Sequence, residues 1–423
     1  MKEQKKVLLI TYYWPPSGGA GVHRWLRFSK YFRENGIDLT VYCPKDAAWP
    51  AFDEALLKEI DPSVTELRRP IFEPHKYLSG GSTGVGLSEK KKRSLIKKMI
   101  VWVRGNMFIP DSRAFWIKPS IRFLTKYLKE HSDFDAIIST GPPHSTHMIA
   151  LGLKKKFDLK WIADFRDPWT QIDFYEDLNI GKRADRIQHE LEETVLKTAD
   201  EIVTISNSCA EGLEAIAEKK VHVITNGYTF PEFDAVEPDK NGDFTITHFG
   251  SMPSSRNPVV LWAVLKELTE SNDDFKKKLK VKLVGTVDIS VINSIREAGI
   301  EQYVEYIEPV PHAESIALQR STPILLLIAN TTGNVKGILT GKFFEYLGAK
   351  RPILAIGQKD SDLEAAMQST KAGYFATSEE PEALKIYLET TFSQFLTDDL
   401  NSTSENLEQY SSKKLAGYFC KLI

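Results

Sequence analysis

The sequence predicts an α/β protein of two doubly wound halves, and three observations carry that prediction. Short apolar runs alternate with amphipathic helical stretches from Val7 onward. The alternation stops in a stretch rich in proline, glycine and acid (226–243, NGYTFPEFDAVEPDKNGD) and restarts at Phe244. Glycine-rich turns follow several strands at their carboxyl ends, where open α/β sheets bind ligands.

Taken in order, a strand at 7–13 leads through WPPSGGAG into a helix at 22–35. Gly36 fits the C-cap, and a second strand follows at 38–43. Further strands are expected at 64–67, 136–139, 161–164, 201–205 and 221–224, with helices at 119–129, 146–156 and 182–198. The second half repeats the pattern. Its strands are expected at 244–249, 280–284, 304–306, 324–328 and 353–356, with helices at 259–268, 290–298 and 313–319 and a helical tail.

The chain has 423 residues, enough for two domains, and the composition of a soluble globular protein. A net charge of −2 gives no electrostatic reason to expect nucleic acid. Cys43, Cys209 and Cys420 are few and far apart, which argues against a disulfide framework and fits a reducing compartment. The basic start lacks the apolar length and cleavage site of a signal peptide, and no apolar run approaches the roughly 20 residues of a membrane helix. A cytoplasmic location is the default expectation.

Four segments carry candidate chemistry. The first is Trp14-Pro15-Pro16-Ser17-Gly18-Gly19-Ala20-Gly21, a strand-to-helix turn whose glycines permit close backbone approach to an anion. Its spacing is not GxGxxG, and Cys43-Pro44 stands where a dinucleotide site needs an acid, so NAD is set aside. The second is Asp164-Phe165-Arg166-Asp167-Pro168-Trp169, three charges in four residues at a strand end. Unpaired buried charge is costly, so these groups either pair with one another or face a cleft. The third is Gly250 to Pro258, where Arg256 is the loop's single cation, suited to phosphate oxygens or to plain solvent.

The fourth segment, 340–357 (TGKFFEYLGAKRPILAIG), reads as a short helix, a turn closed by Gly348 and Pro352, and a strand. Thr340 can cap the helix, Gly341 leaves its first turn open, and Lys342 adds a cation where amides and dipole already favour phosphate. Glu345 can accept bonds from two sugar hydroxyls. An ordinary helix–strand unit is the competing reading. Between strands and helices, Pro309 lies in a loop (308–312), and Gly333 and Gly337 in and just beyond NTTGNVK suit close sugar or phosphate contact. Residues 88–105 hold seven cations against Glu89, interleaved with apolar residues. Such a stretch either lies on an anionic membrane or packs on its own domain.

In order and position these motifs resemble the GT-B glycosyltransferases, in particular glycosyltransferase family 4, over nearly the whole chain. TGKFFEYL resembles the family's nucleotide-sugar site and YYWPPSGGAG its first loop, which lines the donor diphosphate. IPDSRAFW (109–116), STGPPHS and ADFRDPW resemble a subgroup of the family. The resemblance implies two Rossmann-like domains facing across a cleft: an acceptor-side domain at 1–235, a donor-binding domain at 236–403, and a helix at 404–423 returning to the first. It implies transfer, with retention, of a sugar from a nucleoside-diphosphate sugar to a glycan or lipid-linked saccharide in cell-surface polysaccharide or glycoconjugate synthesis. The enzyme would be cytoplasmic, with peripheral contact at the inner face of the membrane through 88–105. A nucleotide-sugar epimerase or hydrolase, or a silent homologue that binds a partner, are the alternatives.

On this reading Asp164, Arg166 and Asp167 are the catalytic candidates. Gly18, Gly19, Arg256, Lys342, Glu345, Gly333, Gly337 and Pro309 are the donor contacts. No metal ligands and no tightly bound cofactor are expected. Many family members carry two glutamates eight positions apart, and counting back from Glu345 lands on Gly337. Glu345 is thereby expected at the ribose, with sugar recognition left to 330–336 and the first domain.

Overall fold

The computed structural model describes residues 4–74, 102–103, 105–172, 175–229, 242–330, 336–337, 339–400 and 403–423. Its chain divides into one unit of Met1–Asn226 with Ser412–Ile423 and another of Gly227–Ser411. These limits, 226/227 and 411/412, lie nine and eight residues from the expected 235/236 and 403/404. Tyr228 pairs with Tyr410 and Ser411 within the second unit, which draws the two chain crossings together there.

The first unit holds a parallel sheet of β1 (Lys5–Ile10), β2 (Ile37–Pro44), β3 (Thr65–Arg69), β4 (Ala136–Gly141), β5 (Lys160–Phe165), β6 (Glu201–Thr204) and β7 (His222–Val223), in the order 3-2-1-4-5-6-7. Helices α1 (Ala20–Phe32), α2 (Ala114–Glu130), α3 (Ser145–Lys154), α4 (Lys182–Thr198) and α5 (Asn207–Ala217) surround it. The sheet is buried on both faces because successive side chains point to opposite sides. On β1, Leu8 and Ile10 enter one core while Val7 and Leu9 enter the other.

The second unit repeats the plan with β8 (Phe244–Phe249), β9 (Leu279–Val284), β10 (Val304–Ile307), β11 (Ile324–Ile328), β12 (Ile353–Ile356) and β13 (Gly373–Ala376). Their order is 10-9-8-11-12-13, again parallel. Its helices are α6 (Val259–Ser271), α7 (Asp273–Lys278), α8 (Ile289–Glu297), α9 (His312–Ser321), α10 (Gly341–Ala349), α11 (Asp362–Thr370) and α12 (Pro381–Leu396). On β11, Ile324, Leu326 and Ile328 enter one core and Leu325 and Leu327 the other.

A final helix, α13 (Ser412–Cys420), belongs to the first unit. Phe419 sets its ring 5.0 Å from Trp25 on α1, and Lys5 donates to the Ile423 carbonyl at 2.9 Å.

Three local expectations need correction. The helix expected to start at Pro119 starts at Ala114, with Pro119 inside it. A proline there removes one backbone bond, and the burial of Trp116 and the Asp111 turn outweigh that loss. Gly348 does not close a turn: it lies buried within α10, which ends at Lys350 with φ 53°. Strand β13 and helix α5 were not foreseen, the first because its four residues (GYFA) are too short to show a period.

Candidate functional site

Both sheets end, at the carboxyl side of their central strands, in the loops singled out from the sequence. In the first unit those loops are occupied with one another. Asp164, fully buried at the end of β5, accepts from Arg24 Nη2 at 2.9 Å, Arg24 Nε at 3.3 Å, Trp25 Nε1 at 2.9 Å and Thr140 Oγ1 at 2.8 Å. Arg24 is buried too, and its Nη1 reaches the Thr225 carbonyl at 2.7 Å. With four donors on its two oxygens, the Asp164 carboxylate anchors α1 to the sheet.

Arg166 is likewise taken up. Its Nη1 donates to Gly21 O at 2.7 Å, Nε to Gly141 O at 3.3 Å, and Nη2 to Pro142 O. Burial lowers its pKa from the ordinary arginine value, against the nearby Asp167 and Asp164 charges. Asp167, half-buried, is the member of the trio closest to solvent. Of the two glycines in the first loop, Gly18 is buried and donates its amide to Ala51 O at 2.9 Å. Gly19 is exposed at the N-cap of α1 with φ 82°, a conformation that favours glycine, and open space surrounds it.

Two histidines lie beneath the second loop. His147 stacks on Phe165 at 4.4 Å and shares a 2.8 Å bond between Nδ1 and Ser139 Oγ; His144 stacks on Trp169 at 4.5 Å. Burial, with Arg166 adding, pushes His147 down to about 3, and burial holds His144 well below the ordinary value. Both are neutral core groups near pH 7.

The second unit differs. Thr340 occupies the N-cap of α10, but its hydroxyl makes no capping bond and is buried without a partner among the described residues. Gly341 is exposed, with nothing near the position a Cβ would take. Lys342 runs back over Gly250: a Cβ on that glycine, φ 105°, would meet Lys342 Cε at 2.4 Å and Nζ at 2.8 Å. Burial pulls the Lys342 pKa below its ordinary value; Glu345 opposes this and Arg256 adds to it. Among the described residues, no hydrogen bond or ion pair of Lys342 or Glu345 is present. Arg256 donates from Nε to Asn330 Oδ1 at 2.7 Å.

Two side chains not foreseen from the sequence fix this end of the sheet. Tyr346, fully buried on α10, accepts from Phe249 N at 3.1 Å and donates to Leu326 O at 3.4 Å. It ties the helix to β8 and β11. His248 donates from Nδ1 to Leu326 O, 3.0 Å away, and burial pushes its pKa down to about 4. The sequence signal for both was a polar atom in an otherwise apolar run.

Pro309 is exposed on the loop after β10, and Gly337 is half-buried in the turn before α10. Gly333 lies outside the described residues, as does most of 88–105. Within the described residues, no group of three His, Cys, Asp or Glu is placed to hold a metal ion, and no helix is long and apolar enough to cross a membrane.

The sequence matches the model of Glycosyltransferase Family 4 over residues 17–229. No curated protein matches it. Among solved structures it is similar to sucrose-phosphate synthase from Thermosynechococcus elongatus, with a TM-score of 0.62 and 10% identity over 99% of this chain and 98% of that one. It is also similar to TarM, at 0.62 and 10% identity over 100% and 99%. The lipopolysaccharide outer core galactosyltransferase WaaB gives 0.56 and 13% identity over 99% of both chains. At such identities the likeness shows the fold, which is GT-B.

Proposed function

This chain belongs to glycosyltransferase family 4 and is a glycosyltransferase; we propose that it moves a sugar from a nucleoside-diphosphate sugar to a glycan or lipid-linked saccharide, with retention of configuration. The amino end of α10 carries the proposal. There an open first turn at Gly341, and a Thr340 hydroxyl and a sunken Lys342 that have no bonding partner among the described residues, converge on one helix terminus. A helix end with free amides and a cation that is uncomfortable without an anion suits a diphosphate.

On this reading Lys342 and Arg256 flank the leaving diphosphate, whose charge grows as the glycosidic bond breaks. Binding the anion would favour the Lys342 charge that burial disfavours. Glu345, one turn further in, takes the ribose hydroxyls. Pro309, Gly333 and Gly337 belong to the loops around the base and the sugar. In the first unit, the acceptor side, the exposed Gly19 offers an amide to the donor phosphates. Arg166 shapes the strand end, and Asp167 is the group that meets the transferred sugar. A donor phosphate oxygen accepts the proton of the acceptor hydroxyl. No step calls for a metal or a tightly bound cofactor.

The proposed setting is cell-surface polysaccharide or glycoconjugate synthesis, with peripheral membrane contact. Trp102 and Met107 are 51% and 69% exposed, and the exposed Phe72 and Phe115 rings lie 5.7 Å apart. Trp102 lies within the cationic run and Met107 just beyond it, and these apolar surfaces support that contact.

A panel of nucleotide sugars tests the function. Nucleoside diphosphate should be released slowly with one donor alone and faster with a glycan acceptor present. Conversion of the donor with no gain from any acceptor would favour the epimerase or hydrolase. Absence of donor binding across the panel would leave the silent homologue.

A further inference from the structure

We propose that residues 110–113 form a brace that positions the strand-end loops of the first unit for transfer, with Asp111 and Arg113 as its positioning residues. The proposal rests on the acceptor-side role given above to that sheet end. This short segment reaches three loops that are far apart in sequence. Asp111 accepts from Ser145 N at 2.9 Å and Ser145 Oγ at 2.8 Å, holding the start of α3 after β4. Pro110 O accepts from Gln188 Nε2 at 2.9 Å, and the same Gln188 accepts from Trp169 Nε1 at 2.8 Å, reaching the loop after β5. Arg113 holds the loop after β1: its Nη2 donates to Tyr12 Oη at 3.2 Å and its guanidinium lies 4.6 Å over the Tyr12 ring.

Glu73 completes the lock. It is buried, accepts from Tyr12 Oη at 2.8 Å and from Ala48 N at 2.6 Å, and lies 3.3 Å from Arg113 Nε. Stability alone does not call for this, because apolar side chains of similar size serve a core as well as a buried ion pair. The pair fixes position instead. From Arg113 a column of contacts runs on: Tyr12 meets Tyr13 edge to face at 5.0 Å, and Tyr13 lies under Arg166 at 5.5 Å. Arg166 in turn grips Gly21, Gly141 and Pro142. A shift at Arg113 is therefore passed to the loops that carry Gly19 and Asp167.

The test uses the full chain with Arg113→Met, Arg113→Lys and Asp111→Ala, and with Leu128→Ala as a control. Leu128 is buried on the same helix α2, toward its opposite end. Arg113→Met is expected to lower kcat by about 10- to 100-fold, the scale of a small misplacement near the chemistry. Arg113→Lys keeps the charge without the planar fork and should recover little. Leu128→Ala should lower Tm and keep kcat. Equal losses of kcat in Arg113→Met and Leu128→Ala, or none in Arg113→Met, overturn the brace. Hydrogen exchange reads it without turnover: Asp111→Ala should speed exchange at the Ser145 amide, and unchanged exchange overturns the brace whatever the donor panel shows.

Discussion

The carboxyl ends of the two sheets are built on the same strand order yet hold their charges in opposite ways. In the first unit Asp164, Arg24 and Arg166 are buried and bonded to protein at nearly every polar atom. In the second, Lys342 and the Thr340 hydroxyl have no such partners among the described residues, and the first turn of α10 is open. A sequence dense in charge marked the first end; a buried cation without a bonding partner among the described residues marks the second, whereas the unmet atoms at the first end include His144 Nδ1 and His147 Nε2 of neutral rings. Capacity left over is the better pointer to a ligand, because a native fold pays for orphaned polar groups only where something else meets them.

That contrast can be broken by experiment. Replacing Asp164 with Ala leaves Arg24 buried without its carboxylate and should cost about 3–5 kcal/mol of stability in the first unit. Thermal and denaturant unfolding measure it, and a variant as stable as the parent would favour Asp164 as a substrate contact rather than an anchor. Lys342→Ala should do the reverse. It relieves a strained cation, so stability should hold, while kcat falls by about 3 kcal/mol in activation terms, the scale of one lost donor to a developing anion. Steady-state kinetics beside a melting curve separates the two. Glu345→Ala is expected to weaken donor binding by about 1–3 kcal/mol, as for other lost hydrogen bonds to charge. Calorimetry with the preferred nucleotide sugar reads this, and undiminished affinity would remove Glu345 from the site.

Acid should also distinguish the units. His147 at about 3 and His248 at about 4 are depressed below the unfolded value near 6.5. The unfolded chain then binds more protons in that window, so stability is whole above about pH 6.5 and declines as pH falls toward the folded values, by about 1.4 kcal/mol per pH unit for each histidine. The first unit carries His144 as well and should weaken more steeply. Tryptophan fluorescence and exchange across pH 4–7 follow both, and His248→Gln should flatten the second unit's response.

Much of the fold was legible in the chain. Two-sided burial makes the central strands largely apolar runs, so β1, β8 and β11 could be read within a few residues. The motif positions at strand ends followed from the alternation. What could not be read was which charge meets which, since Arg24 is 140 positions from Asp164 and Arg113 is 101 from Tyr12. A one-dimensional pattern holds no record of such pairings. Gly18 and Gly19 make the same point at short range: adjacent and identical, they differ because Ala51 takes one amide and leaves the other open.

The placement of α13 bears on the order in which the molecule can be made. Phe419, Leu415 and Ala416 lie in the same core as Trp25 and Phe28, yet 185 residues of the second unit (227 to 411) come between. A ribosome delivers α1 early and its cover late. Until Phe419 emerges, the aromatic face of α1 stays bare while the second unit is being synthesised. The half of the protein that begins first is thus finished last, and a nascent chain halted anywhere before α13 would present a sticky, incomplete first unit for chaperones to hold.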